Sequence, residues 1–316
     1  MNTADFEFYR VFLHEKSGLA LTAEKIYLLD SRLTPVARKW GHDTLESLAK
    51  ALRGAPDPKL VYDVVEAMTT NETLFFRDDR PFKQFRNTVM PAVLKNREKQ
   101  KNLRIWSAAS STGQEPYSIA ITLSEILQGL PGWKTEILAT DISEAALNQA
   151  RGGEYSNFEV QRGLPIQMIM KYFTQVGASW KINDNLRRMV RFETFNLLTS
   201  MVKWGTFDVI FCRNVLIYFD AETKAKVLKG LAAQLAPDGF LFLGGSETVM
   251  GLSQDLKLVP GCSGLYTLGS GVSLVSPGPA PVAPLPAQAA SPPPAAKPPI
   301  KPAAPGPDYK GAIVRP

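Results

Sequence analysis

The stretch from Leu103 to Ala120, LRIWSAASSTGQEPYSIA, constrains the fold more than any other part of the chain. It opens with an apolar run (Leu103, Ile105, Trp106) and breaks into small residues from Ser107 to Gly113. Apolar residues then resume at helical spacing with Tyr117, Ile119, Ala120 and Leu123. Pro116 suits a first helical turn, where a missing N–H is not needed. Strand, tight turn and helix in this order open a doubly wound α/β sheet, whose ligands sit at the carboxyl ends of the strands. The turn is not GxGxxG, so the dinucleotide fingerprint is absent. It offers Ser110, Ser111, Thr112 and one glycine, with Glu115 just behind. A carboxylate there repels a pyrophosphate and attracts a cation. That points to a positively charged nucleoside such as S-adenosylmethionine.

Alternation of strands and helices continues after this turn. Thr135 to Asp141 (TEILATD) reads as a second strand ending in an acid, followed by the helix SEAALNQA. FDVIFCRN (Phe207 to Asn214), a helix from Ala221 to Leu235 capped by Asp220, GFLFLGGSE (Gly239 to Glu247) and SGLYTLG complete a mostly parallel sheet covered on both faces. Gly152 to Val190 breaks the alternation. A helix over Pro165 to Phe173 precedes short polar strands joined by the turns VGAS and NDN, which reads as an antiparallel insert.

Ahead of the sheet, residues 1 to about 70 carry helical recurrence and no strand signal. Phe6, Tyr9, Phe12 and Leu13 form one helix ended by Gly18, and Leu21 to Trp40 a second. Asp43 and Glu46 have capping-box spacing ahead of a third, and Asp57-Pro58 opens a fourth. The expected organisation is a helical N-terminal domain over 1–80, an α/β domain over 81–270 with its insert at about 152–190, and a tail over 271–316. Fourteen of the 24 prolines lie in that tail, without apolar periodicity, so it is expected to be disordered.

The formal charge of +6 is unevenly spread. The tail supplies four bases against one acid, whereas Pro81 to Arg104 holds seven bases against Glu98 alone. Such a stripe can meet an acidic partner or only water. The longest apolar runs are strand-sized, and MNTADFEFYR lacks the apolar core of an export signal, so a cytoplasmic protein is expected. Cys212 and Cys262 stand far apart and show no metal spacing.

Three groups of residues can carry chemistry. Asp141 stands where doubly wound folds place an acid that accepts both ribose hydroxyls; the alternative is a helix N-cap. Within NETLFFRDDRPF, Phe75, Phe76 and Phe82 anchor a link that holds Asn71, Thr73 and Arg77 near the first turn; alternatively Arg77 is a surface partner of Asp78 or Asp79. Arg213, Asn214 and Tyr218 leave the end of a central strand, where a cofactor site needs a wall. His14 and His42 join no acid and nucleophile, and no metal cluster is apparent, so a base-catalysed hydrolase is not expected.

These segments together resemble the CheR-type chemoreceptor glutamate methyltransferases. The match runs from about residue 5 to residue 268 through NETLFFR, WSAASSTGQEPYSIA, TDIS, Phe195-Asn196-Leu197, FDVIFCRNVLIYF and DGFLFLGGSE. The family pattern has a cysteine at Ser110 and an acid at Gln114, but Glu115 is kept. The resemblance implies a class I (Rossmann-like) methyltransferase sheet, a helical N-terminal domain and a small antiparallel β insert. It also implies S-adenosylmethionine contacts by Asn71, Thr73, Arg77, Glu115, Asp141, Asn196, Leu197, Arg213 and Asn214. Some members grip a receptor peptide with the insert; here the VGAS turn is short and lacks their glycine-rich extension, so the implication stops short of peptide tethering.

The implied reaction is methylation of glutamate side chains on the cytoplasmic helices of chemoreceptors. A glutamate with a pKa of about 4.3 is already anionic at neutral pH and needs no base. Arg77 and Tyr218 are the candidates for orienting the acceptor carboxylate. The basic stripe and Arg32, Arg38 and Lys39 are candidates for attracting acidic receptor helices. RNA as acceptor lacks the interleaved exposed aromatics that stack bases. A non-catalytic sensor or scaffold recruiting partners through the tail has no need of Arg77, Glu115, Asp141 and Tyr218 together. No nucleic acid, metal or membrane insertion is expected, and nothing demands more than a monomer.

Overall fold

Helical periodicity in the first seventy residues becomes four helices: α1 (Thr3–Ser17), α2 (Ile26–Lys39), α3 (Leu45–Arg53) and α4 (Pro58–Met68). The computed structural model describes residues 2–269; the tail expected to be disordered lies outside the described residues. Tyr9, Leu13, Leu29, Leu33, Leu48 and Val64 form the core of this module. Each fully buried aliphatic or aromatic side chain contributes about 1.5–3 kcal/mol. Gly18, at φ +78°, ends α1, and Asp57 caps α4 by accepting the N–H of Lys59 at 2.8 Å. Two local expectations shift. A 3₁₀ turn at Ala23–Lys25 precedes α2, and α3 is capped by Thr44, whose hydroxyl accepts the Ser47 N–H at 3.2 Å. Glu46 then falls one position short of the capping-box site, and Asp43 is not the cap.

The chain continues through α5 (Arg80–Gln84), a π-helical turn (Phe85–Val89) and α6 (Met90–Asn96) into β1 (Asn102–Ala108). There follow α7 (Gln114–Ile126), β2 (Lys134–Asp141), α8 (Glu144–Gly152), β3 (Glu154–Ser156), α9 (Asn157–Gln161), α10 (Ile166–Tyr172), β4 (Phe173–Val176) and β5 (Ser179–Ile182). The last part holds α11 (Asp184–Arg187), β6 (Val190–Thr194), β7 (Phe207–Cys212), α12 (Ala221–Ala233), β8 (Leu235–Leu243), β9 (Leu256–Leu258) and β10 (Leu265–Leu268). The main sheet has seven strands in the order β6-β2-β1-β7-β8-β10-β9. The first five are parallel, and β10 is antiparallel to both its neighbours. The order reverses between β1 and β7, so their carboxyl ends form the switch-point crevice of a class I methyltransferase sheet.

Two apolar cores flank the sheet. One stacks Phe82, Phe85, Phe211 and Phe242, with the Phe211 and Phe242 rings 4.4 Å apart; the other surrounds Trp106. Phe75, Phe76 and Phe82 are all buried in the first, so the link from the helical module is anchored as its aromatics predict.

The insert is a three-stranded antiparallel sheet, β3-β5-β4, but its composition differs from expectation. VGAS does turn β4 into β5. NDN does not turn into a further insert strand: Asn183 opens α11, and VRFET beyond it is β6, parallel to β2 in the main sheet. The third insert strand is β3, before α9. β6 is an edge strand with no fully buried residue, which is why its sequence reads as polar insert.

The basic stripe of 81–104 is not one face. Arg86 is buried against Glu125, Arg97 binds Asp208 and Asp238, and Arg104 binds Glu136. Arg104 and Asp208 stand at the amino ends of β1 and β7, opposite the crevice, so the three arginines of the stripe are consumed by internal pairs. No described helix is long and apolar enough to cross a membrane, and no described group of His, Cys, Asp or Glu side chains could hold a metal ion.

Candidate active site

The crevice at the switch point opens into a cleft of about 1050 Å³ counted to its mouth. All ten residues singled out from the sequence line it: Asn71, Thr73, Arg77, Glu115, Asp141, Asn196, Leu197, Arg213, Asn214 and Tyr218. They come from five separate segments, which the sheet topology and the anchored 71–82 link bring together.

The floor is the turn after β1. Ser110 donates its N–H to the Thr140 carbonyl at 2.9 Å, and Gly113 returns one to Ser110 at 3.0 Å, so the turn is closed. Gly113 sits at φ +94°, and a Cβ there would lie 2.8 Å from the Ala150 Cβ, so the single glycine is obligatory. Ala109 and Ser111 also have left-handed backbone, at φ +59° and +50°, and both face the cleft.

Asp141 ends β2 beside this turn. Its two oxygens accept the N–H groups of Ser111 at 2.7 Å and Ser143 at 2.9 Å. The N-cap of α8 is Ser143, not Asp141, so the capping alternative fails. Burial pushes the Asp141 carboxyl up, while the amides of Ser143 and Ser111 draw it down.

Glu115, expected to attract a cationic ligand, already has partners within the chain. One oxygen accepts from the Ser107 hydroxyl at 2.9 Å and the other from the Arg213 guanidinium at 2.9 Å. Burial raises its carboxyl, opposed by the Arg213 charge. Arg213 in turn donates to the Arg77 carbonyl at 2.9 Å and to Asp78 at 2.7 Å. This buried guanidinium ties the 71–82 link to the end of β7. The alternative ion pair of Arg77 with Asp78 or Asp79 is not formed: Asp78 binds Arg213, Asp79 binds Lys83, and Arg77 donates to the Glu72 carbonyl.

The helical module supplies a wall that sequence reasoning missed, through Ser17, Leu19, Met68, Thr69 and Thr70. Asn196 donates to the Lys16 carbonyl at 2.7 Å, and the Tyr218 carbonyl accepts from Ala20 N–H at 2.8 Å. Across the cleft, Glu66 and Tyr62 of α4 bind Ser143 and the Glu144 N–H at the start of α8. Nothing local in the sequence signals these joints, since all but the bond between Ser143 and Glu66 use at least one main-chain atom. His14 lies outside the cleft lining and meets Asp220 at 2.8 Å.

The cleft suits an adenosyl cation. Asp141 offers a buried carboxylate at the ribose position, and small side chains line the turn. Fold and cleft together are those of a class I methyltransferase that takes S-adenosylmethionine. The chain belongs to the CheR methyltransferase family: the model for the CheR methyltransferase SAM binding domain matches residues 71–264, and that for the CheR methyltransferase all-alpha domain matches residues 4–69. It is 41% identical over 259 residues to the chemotaxis protein methyltransferase Cher2 of Pseudomonas putida, covering 81% of this chain and 94% of that one. It is 43% identical over 251 residues to the chemotaxis protein methyltransferase of Vibrio parahaemolyticus, covering 78% and 90%. With chemotaxis protein methyltransferase 1 of Pseudomonas aeruginosa it shares 41% over 263 residues, covering 81% and 94%.

Proposed function

We propose that this protein is a cytoplasmic protein-glutamate O-methyltransferase that esterifies glutamate side chains on the signalling helices of chemoreceptors. The observation that carries this reading is the make-up of the cleft, whose lining among the described residues contains no histidine, lysine or cysteine. Of the acids there, Glu115 and Asp141 are engaged by Arg213 and by backbone N–H groups, and Glu72 pairs with Arg162 at 3.2 Å. A hydroxyl or amine acceptor needs a base at this point, whereas a carboxylate arrives ionised.

When bound, S-adenosylmethionine supplies an electrophilic methyl group. Asp141 would take the ribose hydroxyls, and the 109–113 turn, Asn71, Thr73, Asn196 and Leu197 would enclose the remainder. Arg213 and Asn214 form the wall at the end of β7. Arg77 and Tyr218 orient the acceptor carboxylate, and the apolar side chains of Leu19, Phe195 and Phe219 keep water out. Orientation of this kind removes up to about 7–11 kcal/mol of barrier. The partners are chemoreceptor helices, met by a monomer.

The test is transfer of labelled methyl from S-adenosylmethionine to receptor-containing membranes, followed by mild base. Label that enters protein and leaves as methanol supports a carboxyl ester; cofactor binding without base-labile label overturns it. Arg77→Ala is expected to reduce kcat by about 10–100-fold and Tyr218→Phe by roughly 2–10-fold, the range of one charged and one neutral hydrogen bond.

A further inference from the structure

The loop that presents Arg213, Asn214 and Tyr218 is held by a residue that does not line the cleft. Glu247 lies in the turn after β8 and is buried. One of its oxygens accepts the N–H groups of Gly244 at 2.6 Å and Asn214 at 2.9 Å; the other accepts that of Ile217 at 3.3 Å. Two of these three donors belong to the loop between β7 and α12. Asn214 has left-handed backbone, φ +59°, which asparagine tolerates but which the surroundings must hold. Gly244 makes the approach possible, since a Cβ there would lie 2.7 Å from the Glu247 carboxylate and 3.0 Å from the Asn214 nitrogen.

The geometry points to Glu247 as a positioning residue of the cleft, whose carboxylate gathers three backbone N–H groups and fixes the 213–218 loop in its cleft-lining conformation. It rests on the reading of Arg213, Asn214 and Tyr218 as working residues of the site. Glu247 itself touches neither cofactor nor acceptor. A buried carboxylate is a dedicated acceptor, and no neutral side chain of its shape can replace it: whichever way a glutamine amide turns, its NH₂ group faces at least one of the three N–H donors.

The experiment compares full-length wild type with Glu247→Gln and Thr248→Ala. Thr248 accepts the Met250 N–H within the same turn and makes no side-chain hydrogen bond to the 213–218 loop, so it controls for general weakening of the turn. Binding of S-adenosylhomocysteine by calorimetry needs no methyl acceptor. Well below each melting temperature, Kd is expected to rise about tenfold in E247Q, the equivalent of one charge-assisted hydrogen bond, and less than twofold in T248A. Hydrogen exchange at the Asn214 and Ile217 amides is expected to accelerate in E247Q alone. If E247Q does not fold, Glu247→Asp is read the same way, since it keeps the charge and shortens the arm by one methylene. A Kd within twofold of wild type in a folded variant overturns the inference, as does an equal loss in T248A. Failure of the wild type to form methyl esters on receptors would overturn the proposed function, while the calorimetric outcome for Glu247 would still decide its positioning role.

Discussion

Replacing Arg213 by methionine keeps a long apolar stem and deletes the guanidinium. In the native protein that group is 1% exposed and joins Glu115, at 2.9 Å, to Asp78, at 2.7 Å. The two halves are not equal. The Asp78 side chain is 51% exposed, and water screens its contribution to little. The Glu115 side chain is 11% exposed, so the substitution leaves a buried carboxylate facing only the Ser107 hydroxyl. Breaking a buried pair in this way costs about 3–5 kcal/mol. At roughly 2–4 °C per kcal/mol, the melting temperature at pH 7 should fall by about 6–20 °C. The pH dependence carries a sign. Burial already raises the Glu115 carboxyl, and without Arg213 it rises further above its unfolded value of about 4.3. The protonated form then favours the folded state, and that benefit is lost as pH rises through the folded pKa. The deficit of Arg213→Met against wild type should therefore shrink as the solution is made mildly acidic. Adding Glu115→Gln should recover part of the loss, with a coupling of about 0.5–3 kcal/mol in a double-mutant cycle. Calorimetric unfolding of the four proteins between pH 5 and 8 provides the check. A loss under about 1 kcal/mol, strict additivity, or a deficit that ignores pH would refute the reasoning.

Gly163→Ala tests the opposite side of the cleft. A Cβ there would lie 1.9 Å from the Phe75 carbonyl, so the link carrying Asn71, Thr73 and Arg77 must shift. The expected result is a loss of about 1–3 kcal/mol in chemical denaturation together with weaker S-adenosylhomocysteine binding; a stability within about 0.5 kcal/mol of wild type would show that the link yields freely. Asp238→Asn tests the amino end of the sheet. Arg97 binds both Asp238 oxygens, at 2.8 and 2.6 Å, and holds that carboxyl below its ordinary range. The stability it contributes is present above the unfolded value of about 3.9 and lost as pH falls through the lower folded value. The melting-temperature gap between wild type and Asp238→Asn should be full at neutral pH and close in strong acid; a gap independent of pH would contradict the assignment.

The sheet and its crevice were legible because their signals are local. A buried parallel strand such as Phe207–Cys212 is apolar throughout, and the turn after β1 announces itself by small residues between two periodicities. β6 was misplaced for the converse reason: at the sheet edge VRFET is half-wet and reads as polar. β3, three residues long, is too short to show a period at all. In the site, residue types were readable and their pairings were not. Glu115 finds its counter-charge 98 residues away in Arg213, which sequence spacing does not encode. The link segment was placed correctly by its phenylalanines, but the role of Asp78 as the outer end of the Arg213 bridge depends on that same distant residue. Glu247 is a polar residue in a turn until the fold delivers three N–H groups to it.

On the side of the helical module, part of the joint to the cleft consists of main-chain atoms: the Lys16 carbonyl, the Ala20 N–H and the Asn71 carbonyl, which accepts the Ser111 hydroxyl. A main-chain atom is the same whatever side chain grows from it. The outward faces of α1 and α2 can therefore change, residue by residue, while these bonds to the wall behind them stay in place. The surface of the helical module and the cleft behind it are therefore free to diverge independently.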